Sequence, residues 1–438
     1  MLSYEKGAGR LSKKLVLKGA TLISGRDNEV IENSRVVLNG SVIESVGKAS
    51  KEDQREKDSN DLEIVALGGL TVMPGLIDTH IHLVGNGEIS VFVNLFESSM
   101  KRAAKAVRYL QDLLRMGMTT VRSGGDGNGY FEMALRDAIN EGYIEGPRLL
   151  ATGYHLTATG GHAYFLPPWT DETNCVGMRC DGEDAFRKAA RMQLAYGADS
   201  VKVTSGKGLE EEGDPRIPEL TIAEMAAAVE EAHKRGKIVI AHAMGPSAIK
   251  NALSAGVDSV VHGFWMDEEC AEMMAKKGVY WEPTIRYPSR IAEDGGKSGT
   301  PAFYVKNCSM AAETLQKNLL RWVKAGVKIT LGSDAGGVPI FFHGENGQEL
   351  EYMVKLGLRP LDAIIASTKH SAECLRLERR IGTIEPGKEA DILIVEGNPL
   401  NDIGILAKKE KIRGVLKGGN KAVWNIPLRP QSSYAPLE

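Results

Sequence analysis

The sequence has 438 residues, 42% hydrophobic and 25% charged, with 54 Lys and Arg against 57 Asp and Glu for a formal net charge of −3. This is ordinary globular composition with enough apolar content for a large core, and the scattered basic residues point away from nucleic acid. No run approaches the roughly 18 apolar residues of a membrane span, and Met1–Lys14 lacks the apolar core of a signal peptide, so the expectation is a cytoplasmic homo-oligomer acting on a small molecule without a membrane partner.

Residues 1–70 read as short strands and tight turns at Leu15–Leu17, Thr21–Ser24, Arg35–Leu38 and Ser41–Ile43. Asn39-Gly40 between two apolar runs predicts a hairpin whose type I′ turn takes positive φ at both residues. Lys51–Asp61 is polar and charged, a solvated loop. From residue 71 the period changes. Helical patterns at Met100–Met116, Thr221–Arg235, Asp267–Lys277 and Ala311–Ala325 end at Gly117, Gly236, Gly278 and Gly326, and Thr221 with Glu224 makes a capping box. β-branched runs alternate with them at Thr119–Val121, Arg148–Ala151, Ser200–Val203, Lys237–Ile240, Asp258–Val261, Val279–Trp281 and Lys328–Leu331. With the strand before His80 these make eight, the number that closes a (β/α)8 TIM-type barrel over residues 71–381. Within it, residues 163–183 form a long loop with Pro167-Pro168-Trp169, expected to be an active-site lid. Residues 382–438 return to turn-bounded strands at Ala390–Val395 and Arg413–Leu416, so 1–70 and 382–438 are expected to build one small composite β-sandwich domain. Cys175, Cys180, Cys270, Cys308 and Cys374 form no C-x-x-C pair and are odd in number, which favours reduced thiols, and Cys175 with Cys180 has no third soft ligand nearby for zinc.

In such a barrel the chemistry sits at the carboxyl ends of the strands. Pro74–Leu83 (PGLIDTHIHL) ends the first strand in His80-Ile81-His82, and a period of two sends both imidazoles off one face. Lys202 ends the fourth strand, His242 the fifth, His262 the sixth, and Asp334 follows the eighth. Taken singly, His262 fits a hydrogen-bonded core histidine and Asp334 a cap on the turn at Gly336. Lys202 between Val201 and Val203 is costly as a free ammonium, so it either pairs with an acid or is carboxylated by carbon dioxide into a carbamate able to bridge two metals. Together the six residues suit a divalent metal centre, zinc first.

PGLIDTHIHL, HAMGPSAIKNALSAGVDSVVHG, GSDAG and IGTIEPGKEADILI together resemble the amidohydrolase superfamily, in its imidazolonepropionase-like, prolidase-like branch, from Leu15 to Ile394. The resemblance implies two zinc ions, with His80 and His82 on the more buried one, His242 and His262 on the second, N-carboxylated Lys202 bridging, and Asp334 both ligand and proton-transfer group. The implied reaction is attack of a metal-bridging hydroxide on a C–N bond. It also implies a histidine against the substrate carbonyl, His162 in the GGH element, with His155 in reserve. Peptidase-like members often carry H-A-Y-G after the fifth strand, whereas this chain has His242-Ala243-Met244-Gly245, and a thioether cannot donate a hydrogen bond. Arg286, beyond the seventh strand, and Arg122, past the second, are candidates to clamp a substrate carboxylate. A dipeptide or N-acyl amino acid is therefore the first expectation. A hydrophobic amide, carbamate or aryl urea in a pocket of Met244, Trp169, Trp265 and Phe341 is the alternative, and an inactive scaffold, which needs a missing ligand, is remote.

Overall fold

The computed structural model describes residues 13–53, 58–87, 97–164 and 175–426. The first strands are β1 (Lys14–Lys18), β2 (Thr21–Ile23), β3 (Val30–Ile31), β4 (Ser34–Asn39), β5 (Val42–Lys48), β6 (Leu62–Ala66) and β7 (Leu70–Pro74). They divide between two sheets. One runs β5-β4-β1-β6, and the other takes β3, β2 and β7 and continues through the far end of the chain. The hairpin between β4 and β5 forms, one residue later than expected: Asn39 pairs with Val42, and Gly40 and Ser41 make the turn. Only Gly40 of that pair has positive φ, at 59°, so the two-glycine-like demand of a type I′ turn does not arise.

β7 is followed at once by β8 (Leu76–Ile81), with Gly75 as the only residue between them. A Cβ on Gly75 would overlap the Thr119 side chain, so the chain passes from one layer to the next where only hydrogen fits. The expected start of the central unit at residue 71 thus falls inside a strand of the terminal sheet.

From β8 onward the strands are parallel: β9 (Met118–Ser123), β10 (Arg148–Leu150), β11 (His155–Thr157), β12 (Gly177–Arg179), β13 (Ser200–Thr204), β14 (Ile238–Ala243), β15 (Ser259–His262) and β16 (Tyr280–Glu282). They run β10-β9-β8 and β12-β11-β13-β14-β15-β16. The expected third strand at Arg148–Ala151 forms as β10 and pairs with β9, whereas β11, beyond Gly153 (φ 93°) and expected as loop, pairs with β13. The expected strand at Lys328–Leu331 is irregular yet bonded on both sides. Trp281 N donates to Lys328 O at 2.9 Å, and Thr79 N to Leu331 O at 2.8 Å, so it lies between β16 and β8. β8, β9, β13, β14 and β15 are buried at every residue rather than at every second one, the pattern of parallel strands covered on both faces.

Helices return the chain between these strands. Ser99–Arg115 starts at the N-cap Ser98, Ile222–His233 carries the Thr221–Glu224 capping box, and Glu268–Lys277 starts at Asp267. Gly117, Gly236, Gly278 and Gly326 all take positive φ just past helices. Ala302–Lys324 begins after Pro301, nine residues earlier than its expected start at Ala311, and buries Tyr304 and Cys308 on that added length. Among the described residues no helix is long and apolar enough to cross a membrane, and the five cysteines are buried with no disulfide between them.

The end of the chain supplies β17 (Ile392–Glu396), β18 (Ile412–Lys417) and β19 (Asn420–Trp424), and the second sheet reads β19-β18-β17-β7-β2-β3. Leu393 pairs with Met73, and Thr71 Oγ1 donates to Gly397 O at 2.7 Å. Leu17, Val36 and Leu38 of the first sheet share one buried cluster with Leu22, Val72, Ile392, Ile394 and Leu416 of the second.

Candidate active site

The carboxyl ends of the parallel strands converge on a cavity of about 810 Å³, counted to its open mouth. β8 delivers His80 and leads into His82, whose ring centroids are 5.2 Å apart; β14 delivers His242 and β15 His262, 4.6 Å apart. His80 and His262 close the set at 5.8 Å. Gly124 follows β9 because a Cβ there would lie 2.7 Å from His80 Nε2 and 2.9 Å from His82 Cε1. Two ligand-type residues hold left-handed backbone that only a surrounding structure can enforce, His262 at φ 70° and Asp334 at φ 58°.

Three of the four imidazoles, those of His82, His242 and His262, have a hydrogen-bond partner on one nitrogen, which fixes the nitrogen left for the cavity. His82 Nδ1 faces Asp126 Oδ1 and Gly125 O, both at 3.1 Å, so its Nε2 turns inward, 3.4 Å from Asp334 Oδ1. His262 Nδ1 is 2.9 Å from Thr284 Oγ1, and His242 Nε2 is 3.1 Å from Lys207 O. His80 lies with Nε2 3.7 Å from Asp334 Oδ1 and Nδ1 3.6 Å from Glu282 Oε2. One ligand atom each from His80, His82 and Asp334 falls within 4.8 Å of the others.

The electrostatics follow from burial and these neighbours. Burial would lower His82, but Asp126 and Asp334 outweigh it and push it up to about 10. Burial would raise Asp334, yet His82, His80 and His262 hold it below the usual carboxylate range. His262 is pulled down to about 3 and His242 well below its usual value, mainly by burial. Lys202 is 0% exposed, its Nζ has no hydrogen-bond partner among the described residues, and burial drags it down to about 7 against the pull of Glu282 and Asp334.

His80, His82, Lys202, His242, His262 and Asp334 line the one cavity, as do His155, His162 and Met244. His162 stacks on His242 with centroids 4.1 Å apart, and its Nδ1 meets Glu211 Oε1 at 2.5 Å. Glu211, Glu210 and Glu219 overcome the burial of His162 and raise its pKa.

Two arginines go elsewhere. Arg122 is fully buried, ion-paired with Glu282 and donating to Thr79 O at 2.9 Å, so it has no open donor for a ligand in the cavity. Arg286 sits with its guanidinium 4.3 Å over the Phe341 ring and paired with Glu345 at 2.5 Å, away from the cavity lining. Trp265 and Phe341 are likewise absent from the lining, which is apolar through Val84, Val176, Val338, Ala163 and Met244. Of the expected lid, Trp169 and the rest of residues 165–174 lie outside the described residues, and Gly177–Arg179, expected as loop, is β12 paired with β11.

The sequence reading overlooked Arg102, which lines the cavity from the Ser99–Arg115 helix, Glu210, which lines it from the loop after β13, and Tyr287, which lines it from the start of the Arg286–Asp294 helix with its ring centroid 6.1 Å from that of His262. It also overlooked Glu282 and Asp126. Glu282 was readable, because it ends β16 as the histidines end β14 and β15. Asp126 and Arg102 carried no comparable signal, since a loop acid after two glycines and a basic residue on a helix are commonplace.

The amidohydrolase family model matches residues 71–422. Ochratoxinase from Aspergillus niger is 29% identical, over 93% of this chain and 86% of that enzyme. A solved Xaa-Pro dipeptidase with methionine in its active site superposes with a TM-score of 0.83 at 32% identity, covering 93% of this chain and 99% of the other. A prolidase holding N-methylphosphonate-L-proline gives 0.84 at 28% identity over 93% and 99%. The chain belongs to the amidohydrolase family of metal-dependent hydrolases that act on carbon–nitrogen bonds.

Proposed function

We propose that this protein hydrolyses the C–N bond of a small molecule bearing a free carboxylate, a dipeptide or N-acyl amino acid, at a centre for two divalent ions, zinc first. The observation that carries the metal reading is the Lys202 Nζ, fully buried without a hydrogen-bond partner amid four imidazoles and Asp334. A buried amine of depressed pKa is partly neutral near pH 7, the form that reacts with carbon dioxide, and the carbamate so formed supplies the anionic oxygens this donor set lacks. His80, His82, His242, His262, Asp334 and carboxylated Lys202 would hold the ions. When bound, they supply Lewis acidity to the scissile carbonyl and to water.

The remaining steps belong to the chain's own side chains. Asp334 accepts the proton of the attacking water and returns it to the leaving nitrogen, which would otherwise depart as a poor anion. His162 is set against the carbonyl oxygen and holds charge that develops there. Arg102, in place of Arg122 and Arg286, binds the carboxylate, and the valines with Met244 contact the substrate's apolar part. The similarity to a dipeptidase and to a prolidase with a proline-based ligand supports this order of preference.

A second reading has its own observation. The lining around Met244, Val84, Val176 and Val338 suits a hydrophobic amide, carbamate or aryl urea lacking a carboxylate. The test is a panel of dipeptides and N-acyl amino acids, carboxylate free or amidated, beside neutral anilides, phenyl carbamates and phenylureas. A free carboxylate raising kcat/KM by tenfold or more, about 1.4 kcal/mol of transition-state discrimination, supports the first reading; faster neutral aryl substrates replace it with the second. Metal analysis with mass spectrometry at Lys202 tests the centre, and one ion per chain with an unmodified lysine refutes it.

The architecture is read as a (β/α)8 barrel whose third strand is 148–157 and whose eighth is 328–335, capped by a β-sandwich from both chain ends with the junction at Gly75. Residues 163–183 are read as its lid, and the protein as a cytoplasmic homo-oligomer.

A further inference from the structure

His162 enters the proposed reaction through one nitrogen, and a histidine does that dependably only when something fixes its ring and tautomer. Three acidic residues of the loop after β13 surround it. Its backbone N–H donates to Glu219 Oε2 at 3.0 Å, its Nδ1 meets Glu211 Oε1 at 2.5 Å, and Glu210 Oε1 stands off at 3.7 Å. These carboxylates are not equivalent. Glu210 is committed on its other side, where Tyr287 Oη donates to Oε2 at 3.2 Å and Tyr304 Oη donates to Tyr287 Oη at 3.0 Å. Glu211 is held by its own loop, because Gly208 N donates to the same Oε1 that faces the imidazole, at 3.2 Å. The loop in turn is pinned at its neck, where Gly206 bridges Pro218 and Glu219 N donates to Ser205 O at 2.8 Å.

We propose that Glu211 is a positioning residue for hydrolysis: anchored to Gly208, it takes the Nδ1–H of His162 and thereby presents Nε2, the only other polar atom of that ring, to the substrate carbonyl. The stack on His242 fixes the ring plane and Glu211 fixes its rotation within that plane. An imidazole with both constraints delivers its donor without reorganising as charge develops, which is where such a donor gains its effect. Neither constraint was visible in the sequence, where nothing singles out Glu211 or ties it to His162, 49 residues earlier.

This inference rests on His162 acting at the carbonyl, so its test has one arm that needs no substrate. In full-length protein labelled with ¹⁵N-histidine, wild type should show a far-downfield imidazole proton that disappears in both Glu211→Gln and His162→Asn. Its absence from wild type, or its survival in Glu211→Gln, overturns the pairing. The kinetic arm uses whichever panel compound is turned over fastest, so it holds for either substrate class. Glu211→Gln should lower kcat about 10- to 100-fold with KM changed less than about threefold, the range for a group that orients a functional histidine. His162→Asn should lower kcat about 100-fold, and the double variant should match His162→Asn alone. Multiplicative losses would show that Glu211 acts elsewhere and overturn the proposal. So would loss of a metal equivalent in Glu211→Gln, which would make His162, Glu210 and Glu211 a cation site instead. If the proton signal behaves as expected while His162→Asn leaves kcat unchanged, the pairing stands and the role given to His162 fails.

Discussion

Replacing Lys202 by methionine should stabilise the metal-free, uncarboxylated protein at pH 6 while abolishing hydrolysis by the metal-loaded enzyme. The side chain is fully buried without a partner for Nζ, and its pKa falls from 10.5 to about 7. At about 1.36 kcal/mol per unit, that gap is a penalty on the order of 5 kcal/mol carried by the folded state while the amine is protonated. Below about pH 7 the lysine is protonated in both states and the penalty is complete. Between about 7 and 10.5 the unfolded chain still binds a proton that the folded protein has released, so wild-type stability rises with pH by about 1.4 kcal/mol per unit. Methionine fills similar volume and does not titrate. Its advantage should therefore be largest at pH 6, on the order of 5 kcal/mol since the net shift already includes the attraction to Glu282 and Asp334, and fade toward pH 10. The assay is denaturant unfolding of chelator-treated protein in carbonate-free buffer at pH 6, 8 and 10. Equal midpoints for the two proteins at pH 6, or a gain that does not change with pH, would show that the ammonium is already compensated and would remove the physical argument for its carboxylation.

Asp334→Asn in metal-replete protein should cut kcat by more than about 100-fold, the lower part of the usual range for acid–base help, and a near-normal kcat would assign proton transfer to another group. Gly75→Ala should destabilise the protein by about 1–3 kcal/mol through overlap with Thr119, and Thr119→Ala should recover part of that loss in thermal unfolding; additive costs would contradict the packing account. Truncation at Gly382 should give aggregated protein on size exclusion, because removing β17 bares the edge of β7 together with the apolar face around Val72, and a monodisperse, metal-binding product would show that the terminal sheets are separable.

Much of the cavity could be read from sequence because its donors follow local rules. A residue at the carboxyl end of an apolar parallel strand lies at the mouth of the strand array whatever its distant neighbours are, and that rule located His242 and His262, while Lys202 was legible as a lone cation inside the apolar run of its strand. Local rules also found the helix ends, where capping box and terminal glycine lie within a turn of what they stop. They failed where two elements share one apolar run. Leu70–Ile81 contains both a strand of the terminal sheet and the first parallel strand, and nothing in its composition divides them except Gly75, whose role depends on Thr119 some forty residues away.

The arginines show the sharper limit, since a long cation goes wherever a carboxylate awaits it and the sequence does not reveal which carboxylates converge. Arg122 ends a buried strand, which made it look like a substrate clamp. Its position instead obliges it to neutralise Glu282, whose other oxygen lies 3.2 Å from Thr79 Oγ1 and 3.6 Å from His80 Nδ1. Removing either member of such a pair leaves a bare charge in the core, at about 3–5 kcal/mol, so this arginine is spent on the floor of the cavity and cannot also serve its mouth. Arg286 is drawn to the partly exposed Glu345 and the Phe341 ring, outside the cavity lining, with its Nε and Nη1 lacking a hydrogen-bond partner among the described residues. Arg102 is brought to the cavity by its helix rather than by a strand, while Glu210 comes from the loop after β13 and Tyr287 from the start of the Arg286–Asp294 helix. Arg102 is the one arginine among the described residues that line the cavity, and a guanidinium there matches a substrate carboxylate beside the scissile bond, which is the physical basis for expecting the panel to favour free carboxylates.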